Sequence, residues 1–224
     1  MKFGKLGLVL ATAALAVTAF AGSVSAVVAA PATVTVAHGI PGAVVDVCVN
    51  GKEVKASFHY GKQFTASLPA GTYTVKVWAH HTPACHGTLL ITKKLTLTAG
   101  LNATAVARIV ASKPALTVFV NDLTGTSATK ATITVRHTAS AGTVDVWLNG
   151  GAAPAVPGLK RGASAGPVAL DAGVYSWWVS APGAYTPVIG PRVAKLVAGH
   201  AYQILAVGTN AANFRFIVIN QMGV

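Results

Sequence analysis

An internal repeat constrains this chain more than any other feature. Ala32-Thr33-Val34-Thr35-Val36-Ala37-His38 recurs as Ala131-Thr132-Ile133-Thr134-Val135-Arg136-His137, an offset of 99. The offset holds between Val45-Asp46-Val47-Cys48-Val49-Asn50-Gly51 and Val144-Asp145-Val146-Trp147-Leu148-Asn149-Gly150. It widens to 102 between Ala70-Gly71-Thr72-Tyr73 and Ala172-Gly173-Val174-Tyr175. It returns to 99 at Ala99-Gly100 with Ala198-Gly199, and at Val120-Asn121 with Ile219-Asn220. A period this long means two tandem domains, not a solenoid of short units. The copies span 32–123 and 131–221, and the polar stretch 124–130 between them reads as a linker.

Each copy reads as strands. Val, Thr, Ile and Leu dominate, and turn signals recur at the spacing of an all-β sandwich. Asn50-Gly51 and Asn149-Gly150 are two-residue hairpin turns, because both residues tolerate positive φ. Alternation puts Val45, Val47 and Val49 on a core face and Asp46, Cys48 and Asn50 on the other. In the second copy Val144, Val146 and Leu148 face in, and Asp145, Trp147 and Asn149 face out. Leu68-Pro69-Ala70-Gly71-Thr72-Tyr73 and Leu170-Asp171-Ala172-Gly173-Val174-Tyr175 look like tyrosine corners, where a strand Tyr bonds back to the chain just upstream. The fold expected is therefore all-β: two tandem immunoglobulin-like β-sandwich domains.

The N-terminus reads as an export signal. Lys2 and Lys5 precede an uncharged run from Leu6 to Ala21, and Val24-Ser25-Ala26 supplies the small residues of a signal peptidase site. The signal is expected over 1–26, with later cleavage as far as Ala32. The run is short for a membrane span of about 20 residues, so the mature protein is expected to have no transmembrane anchor. Two cysteines in an exported chain read as one disulfide. Cys48 and Cys85 are 37 residues apart, and their Cα atoms should lie within about 7 Å.

The succession V-x-H, V-D-V-x-V-N-G, L-P-A-G-x-Y-x-V, L-T-A-G and V-F-V-N-D resembles the bacterial family called domain of unknown function 4397. The resemblance covers both repeats. It implies an exported, often tandem β-sandwich with no settled activity and no catalytic residues to carry over. The second copy departs by replacing Leu-Pro with Leu-Asp and by lengthening the middle loop with Pro154, Pro157 and Gly158. Identical binding by the two copies is therefore not implied.

Composition narrows the chemistry. The only acids are Asp46, Glu53, Asp122, Asp145 and Asp171, against 17 Lys and Arg, a net charge of +12. Paired-carboxylate glycosidases and carboxylate-rich cation sites are poorly served by so few acids. Gly162-Ala163-Ser164-Ala165-Gly166 matches the nucleophile-elbow pattern, but no helix follows to expose Ser164. His80, His81, Cys85 and His86 cluster like zinc or copper ligands. Adjacent histidines on a strand point to opposite faces, however, and the disulfide claims Cys85, so His80 and His86 are weak metal candidates. His38 and His137 repeat, as do Asp46 and Asp145, and are read as residues that pin the first loop of each copy. No cofactor is expected.

Among the tryptophans, Trp177 faces the core of the second copy, while Trp78, Trp147 and Trp178 fall on outer faces and form the candidate binding face. An internal cover over Trp147 and Trp178 is favoured, with the loop from Pro154 to Gly158 its expected source. Lys and Arg are scattered, without the basic stripe of a nucleic-acid module, so no nucleic acid is expected. The function expected is a non-catalytic secreted or cell-envelope-associated protein with a binding or structural role. Its partners would be anionic cell-wall polymers or envelope proteins. The alternative is a secreted enzyme or metal-binding protein using the His80–His86 loop or the Ser164 region.

Overall fold

The computed structural model describes residues 29–223. The expected signal segment lies outside them, apart from its latest cleavage positions. The described residues form sixteen strands and no helix. No helix among them is therefore long and apolar enough to cross a membrane, which says nothing of a β-barrel.

The first copy contributes β1 (Ala32–His38), β2 (Val44–Val49), β3 (Lys52–His59), β4 (Gln63–Leu68), β5 (Gly71–Ala79), β6 (Leu89–Leu97), β7 (Asn102–Val110) and β8 (Lys113–Val120). The second contributes β9 (Lys130–His137), β10 (Val144–Leu148), β11 (Val156–Leu159), β12 (Ser164–Asp171), β13 (Gly173–Ser180), β14 (Pro187–Leu196), β15 (His200–Val207) and β16 (Arg215–Met222). Each copy is a sandwich of two four-stranded sheets: β4-β1-β7-β8 on β3-β2-β5-β6, and β12-β9-β15-β16 on β11-β10-β13-β14.

The tandem sandwich matches the sequence reading, but its strand order differs from the antibody one. There the first strand pairs with the second. Here β1 lies between β4 and a parallel β7, and β2 belongs to the opposite sheet. The register also amends the repeat. Thr104 lies opposite Phe119, and its counterpart Gln203 lies opposite Ile219, so the last strand is offset by 100 rather than 99. The β15–β16 loop takes up the extra residue.

Alternation places the core correctly. Val34, Val45, Val47, Val75, Val77, Ala105 and Leu116 fill the first sandwich, and Val135, Val144, Val146, Trp177, Val179 and Ile204 fill the second. Both turn asparagines take the left-handed conformation, each at φ 51°. Only Asn50-Gly51, however, is the two-residue hairpin expected. In the second copy residues 149–155 join β10 to β11, because the longer middle loop with Pro154 follows Asn149-Gly150. Each asparagine also extends its ladder, with the Asn50 side chain accepting from the Thr74 amide and Asn149 from Ser176. Both tyrosine corners close, Tyr73 donating to the Pro69 carbonyl at 2.9 Å and Tyr175 to that of Asp171 at 3.0 Å. The exchange of Pro for Asp is harmless because the acceptor is main chain.

The outer faces of the β1 and β9 sheets pack on each other, giving four layers of sheet. Ala37 and Val106 meet Leu205, Val207, Ile217 and Ile219, with Tyr60 and Phe119 at the margin. Thr35, Thr104, Thr132 and Thr134 are buried on the same faces, where short side chains let the sheets approach. Amide side chains close one end: Gln221 donates to Asn102 at 3.0 Å and accepts from Asn121 at 3.3 Å. Arg136 is buried in the seam with its guanidinium 4.8 Å from the Phe119 ring, donating to the Val120 carbonyl. Its desolvation brings the guanidinium pKa down to about 10.

Candidate functional site

The repeated acids organise the outer rim of each sandwich. Asp46 sits on β2 opposite a bulge in β3 and is fully buried. Its Oδ1 accepts from the Ser57 amide at 3.0 Å, and its Oδ2 from the His81 amide at 3.1 Å. Asp145 does the same in the second copy, accepting from the Gly158 amide at 2.7 Å and the Gly183 amide at 2.8 Å. One carboxylate thus ties the bulged edge strand to the loop that follows β5 or β13. For Asp46, burial alone would raise the pKa. The bonds from the His81 amide, the His80 ring and the Ser57 amide outweigh that and leave it below the ordinary carboxylate range. Asp145 is lowered too, first by the Gly158 amide and then by that of Gly183.

These acids do not pin the first loop, as the sequence suggested; the histidines do. His38 Nδ1 accepts from the Ile40 amide at 3.3 Å, which leaves Nε2–H to donate to the Ala43 carbonyl at 3.1 Å. His137 Nε2 reaches the Gly142 carbonyl at 2.6 Å. Burial lowers the pKa of both rings.

The first sandwich adds two side chains to its clamp. His80 Nδ1 lies 2.7 Å from Asp46 Oδ1, and its Nε2 lies 3.0 Å from the Ser57 hydroxyl. An ionised carboxylate can only accept, so Nδ1 carries the proton and Nε2 turns its lone pair toward the hydroxyl. Ser57 sits in the left-handed region at φ 45°, and its counterpart Gly158 at φ 64°. A side chain in that conformation costs about 1–2 kcal/mol, which glycine avoids.

Behind this rim the loop is stapled to the sheet. Cys48 and Cys85 form a disulfide with Cα atoms 6.0 Å apart, the pairing expected from the sequence. In the second sandwich Trp147 stands where Cys48 does. It stacks on Trp178 with ring centroids 5.8 Å apart and planes 4° apart. Tyr185 closes edge-on over both, at 4.9 and 5.3 Å. The Trp147 indole donates to the Ser180 hydroxyl at 2.8 Å.

Trp147 and Trp178 therefore lie on the outer face as expected, but each is only 6% exposed and offers no open platform. Their cover is internal. The ring that packs edge-on against both indoles is Tyr185, in the loop before β14. Trp78 belongs to the other sandwich and is half-buried beneath Lys76, so the three tryptophans do not share one face. Beside the stack, Trp178, Tyr185, Pro187, Pro191, Asn149 and Ser176 line an open cleft of about 530 Å³.

Of the other candidates, Ser164 opens strand β12 opposite Arg136, with no helix behind it. His86 folds onto its own loop, Nδ1 against the Ala84 carbonyl at 2.9 Å. His80 is instead bonded to Asp46 and Ser57. Among the described residues no three His, Cys, Asp or Glu side chains gather at metal-binding distances. The residue the sequence reading missed is Ser57, the partner of His80.

Residues 32–147 match the family described as "Domain of unknown function (DUF4397)". That stretch is over half of the chain. The chain belongs to the DUF4397 family. The match covers the first sandwich and runs into β10 of the second. The second copy rests on the internal repeat and on the shared strand order, corner and clamp. Among curated proteins none matches the chain. A solved structure with some likeness is the Bacillus anthracis TIE protein, at 15% identity and a TM-score of 0.24. The likeness covers 81% of this chain but only 34% of that one, so this chain spans about a third of its length.

Proposed function

We propose that this DUF4397 protein is an exported, envelope-associated structural and binding module, held by electrostatic attraction to anionic wall polymers. The observation that carries the reading is how the few acids are spent. Asp46 and Asp145 are turned inward onto backbone amides. Asp122 bonds the amide and hydroxyl of Thr124, and Asp171 pairs with Lys130 at 2.8 Å. Little negative charge is left to offset the basic side chains, and the net charge stays near +10 once Lys2 and Lys5 are removed with the signal. Two sandwiches joined face to face, rather than by a linker alone, suit a load-bearing or spacing role. An uncompensated positive surface favours contact with acidic polymers.

The test is to incubate the mature protein with isolated envelopes and raise the salt. Screening shortens from about 14 to about 4 Å between 50 and 500 mM, so an electrostatically held protein is released across that range. Absence of binding at 50 mM would remove the reading.

A further inference from the structure

We propose that Ser57, His80 and Asp46 form a nucleophile–base–carboxylate relay that makes Ser57 an acyl acceptor for small carboxylic esters at the open rim of the first sandwich. This adds an activity that the envelope reading lacks and does not depend on it.

The geometry supplies the three roles. Asp46, fully buried, holds the imidazole through Nδ1 at 2.7 Å, and Nε2 meets the Ser57 hydroxyl at 3.0 Å. Such a relay is recognised by geometry and roles rather than by sequence order. The reacting groups are reachable: Ser57 is exposed on the edge strand β3, and the His80 side chain is 38% exposed.

Two observations separate the relay from a simple fastener. The second sandwich keeps the whole carboxylate clamp with Gly158 in place of Ser57 and Pro182 in place of His80. The clamp therefore forms without either side chain. The bulge also requires left-handed backbone, for which glycine is the unstrained choice. The second copy uses glycine, whereas the first holds a serine there against its conformational preference. Backbone strain of this kind gathers at functional sites.

The chemistry balances without a redox partner. Ser57 Oγ adds to the ester carbonyl carbon, and its proton passes to His80 Nε2. The adduct collapses as the bond to the alkoxy oxygen breaks, and that oxygen leaves as an alcohol with the proton from Nε2. Water then adds to the acyl carbon by the same route, and Ser57 Oγ leaves with its proton restored and a carboxylic acid released.

The test uses the mature, disulfide-intact protein and a biotinylated alkyl fluorophosphonate, which phosphonylates an activated serine with loss of fluoride. Intact mass and peptide mapping should show a single adduct on Ser57. The variant Ser57→Gly, which copies the second sandwich and relieves the backbone, should keep its thermal unfolding midpoint or raise it and carry no adduct. His80→Ala should label about 100-fold more slowly, the general-base contribution. Ser164→Ala should label like the parent. Absence of an adduct on the folded parent, an undiminished rate in folded Ser57→Gly, or an adduct on Ser164 would each overturn the proposal.

Discussion

The two sandwiches fasten the same loop to the same face by different physics. In the first, Cys48 on β2 is bonded to Cys85. In the second, position 147 carries tryptophan, and Trp147, Trp178 and Tyr185 form a packed aromatic clamp. Lys76 and Trp178 are also equivalent, since each lies across from the fastening residue. A disulfide stabilises mainly by limiting the unfolded chain, whereas an aromatic stack stabilises through burial in the folded one. The covalent staple leaves its rim open, with Ser57 and His80 at the surface. In the second sandwich glycine and proline occupy the places of Ser57 and His80, so its equally exposed rim carries no such pair of polar side chains. One scaffold thus accepts either a covalent or a packing solution for the same loop, and the two rims differ in the side chains they carry.

Three measurements can break or sharpen this comparison. Trp178→Ala should have the largest effect, a loss of about 3–5 kcal/mol of unfolding free energy in urea or guanidinium. A loss below about 1 kcal/mol would show that the stack is ornamental. Replacing both cysteines with serine should cost about 3–4 kcal/mol for a loop closed over 37 residues. Reductant should weaken the parent by the same amount and leave the double variant unchanged. A Trp178→Ala protein that lost all sensitivity to reductant would mean the two fasteners are not independent.

The smallest expected effect is on pH dependence. His38 and His137 have pKa values below the ordinary 6.5 because burial opposes their charged form. The unfolded chain therefore binds protons more readily, so their contribution is full above about pH 6.5 and declines as pH falls below it, by at most about 1.4 kcal/mol per pH unit per proton. The lowered pKa values of Asp46 and Asp145 add losses only at still lower pH, as the clamps take up protons. Unfolding curves between pH 7 and 5 should show this decline, and His38→Gln should flatten it. A stability that stayed constant over that range would contradict the buried neutral histidines.

Much of the site was visible in the chain only as separate parts. Asp46 stood out because it repeats as Asp145, and His80 because it neighbours other histidines. Ser57 carried no signal, since the relay draws one residue from each of three segments. It forms only because β3 bulges opposite Asp46 and the disulfide holds the loop after β5 nearby. Ser164 matched only a local pattern, and a nucleophile elbow needs a strand, turn and helix that this segment does not form. Tyr185 was likewise unreadable as a cover, because a loop residue's target depends on the path of its loop.

The sequence alone determined the repeat, the strands, the inward faces, the first copy's Asn50-Gly51 hairpin, the tyrosine corners and the disulfide partners. All of these follow from local periodicity, turn chemistry or having just two cysteines. Only the tertiary structure decided the strand order and the burial of the faces outside each core. The threonines of β1 and β9 alternate as on any solvated sheet, and nothing local shows that a second sandwich covers them. The hint lay elsewhere, in the unbroken run Ile204-Leu205-Ala206-Val207 of β15, since a strand buried on both faces loses its alternation. What that run packs against is set by shape matching between two finished sandwiches, and such complementarity exists only once both have folded.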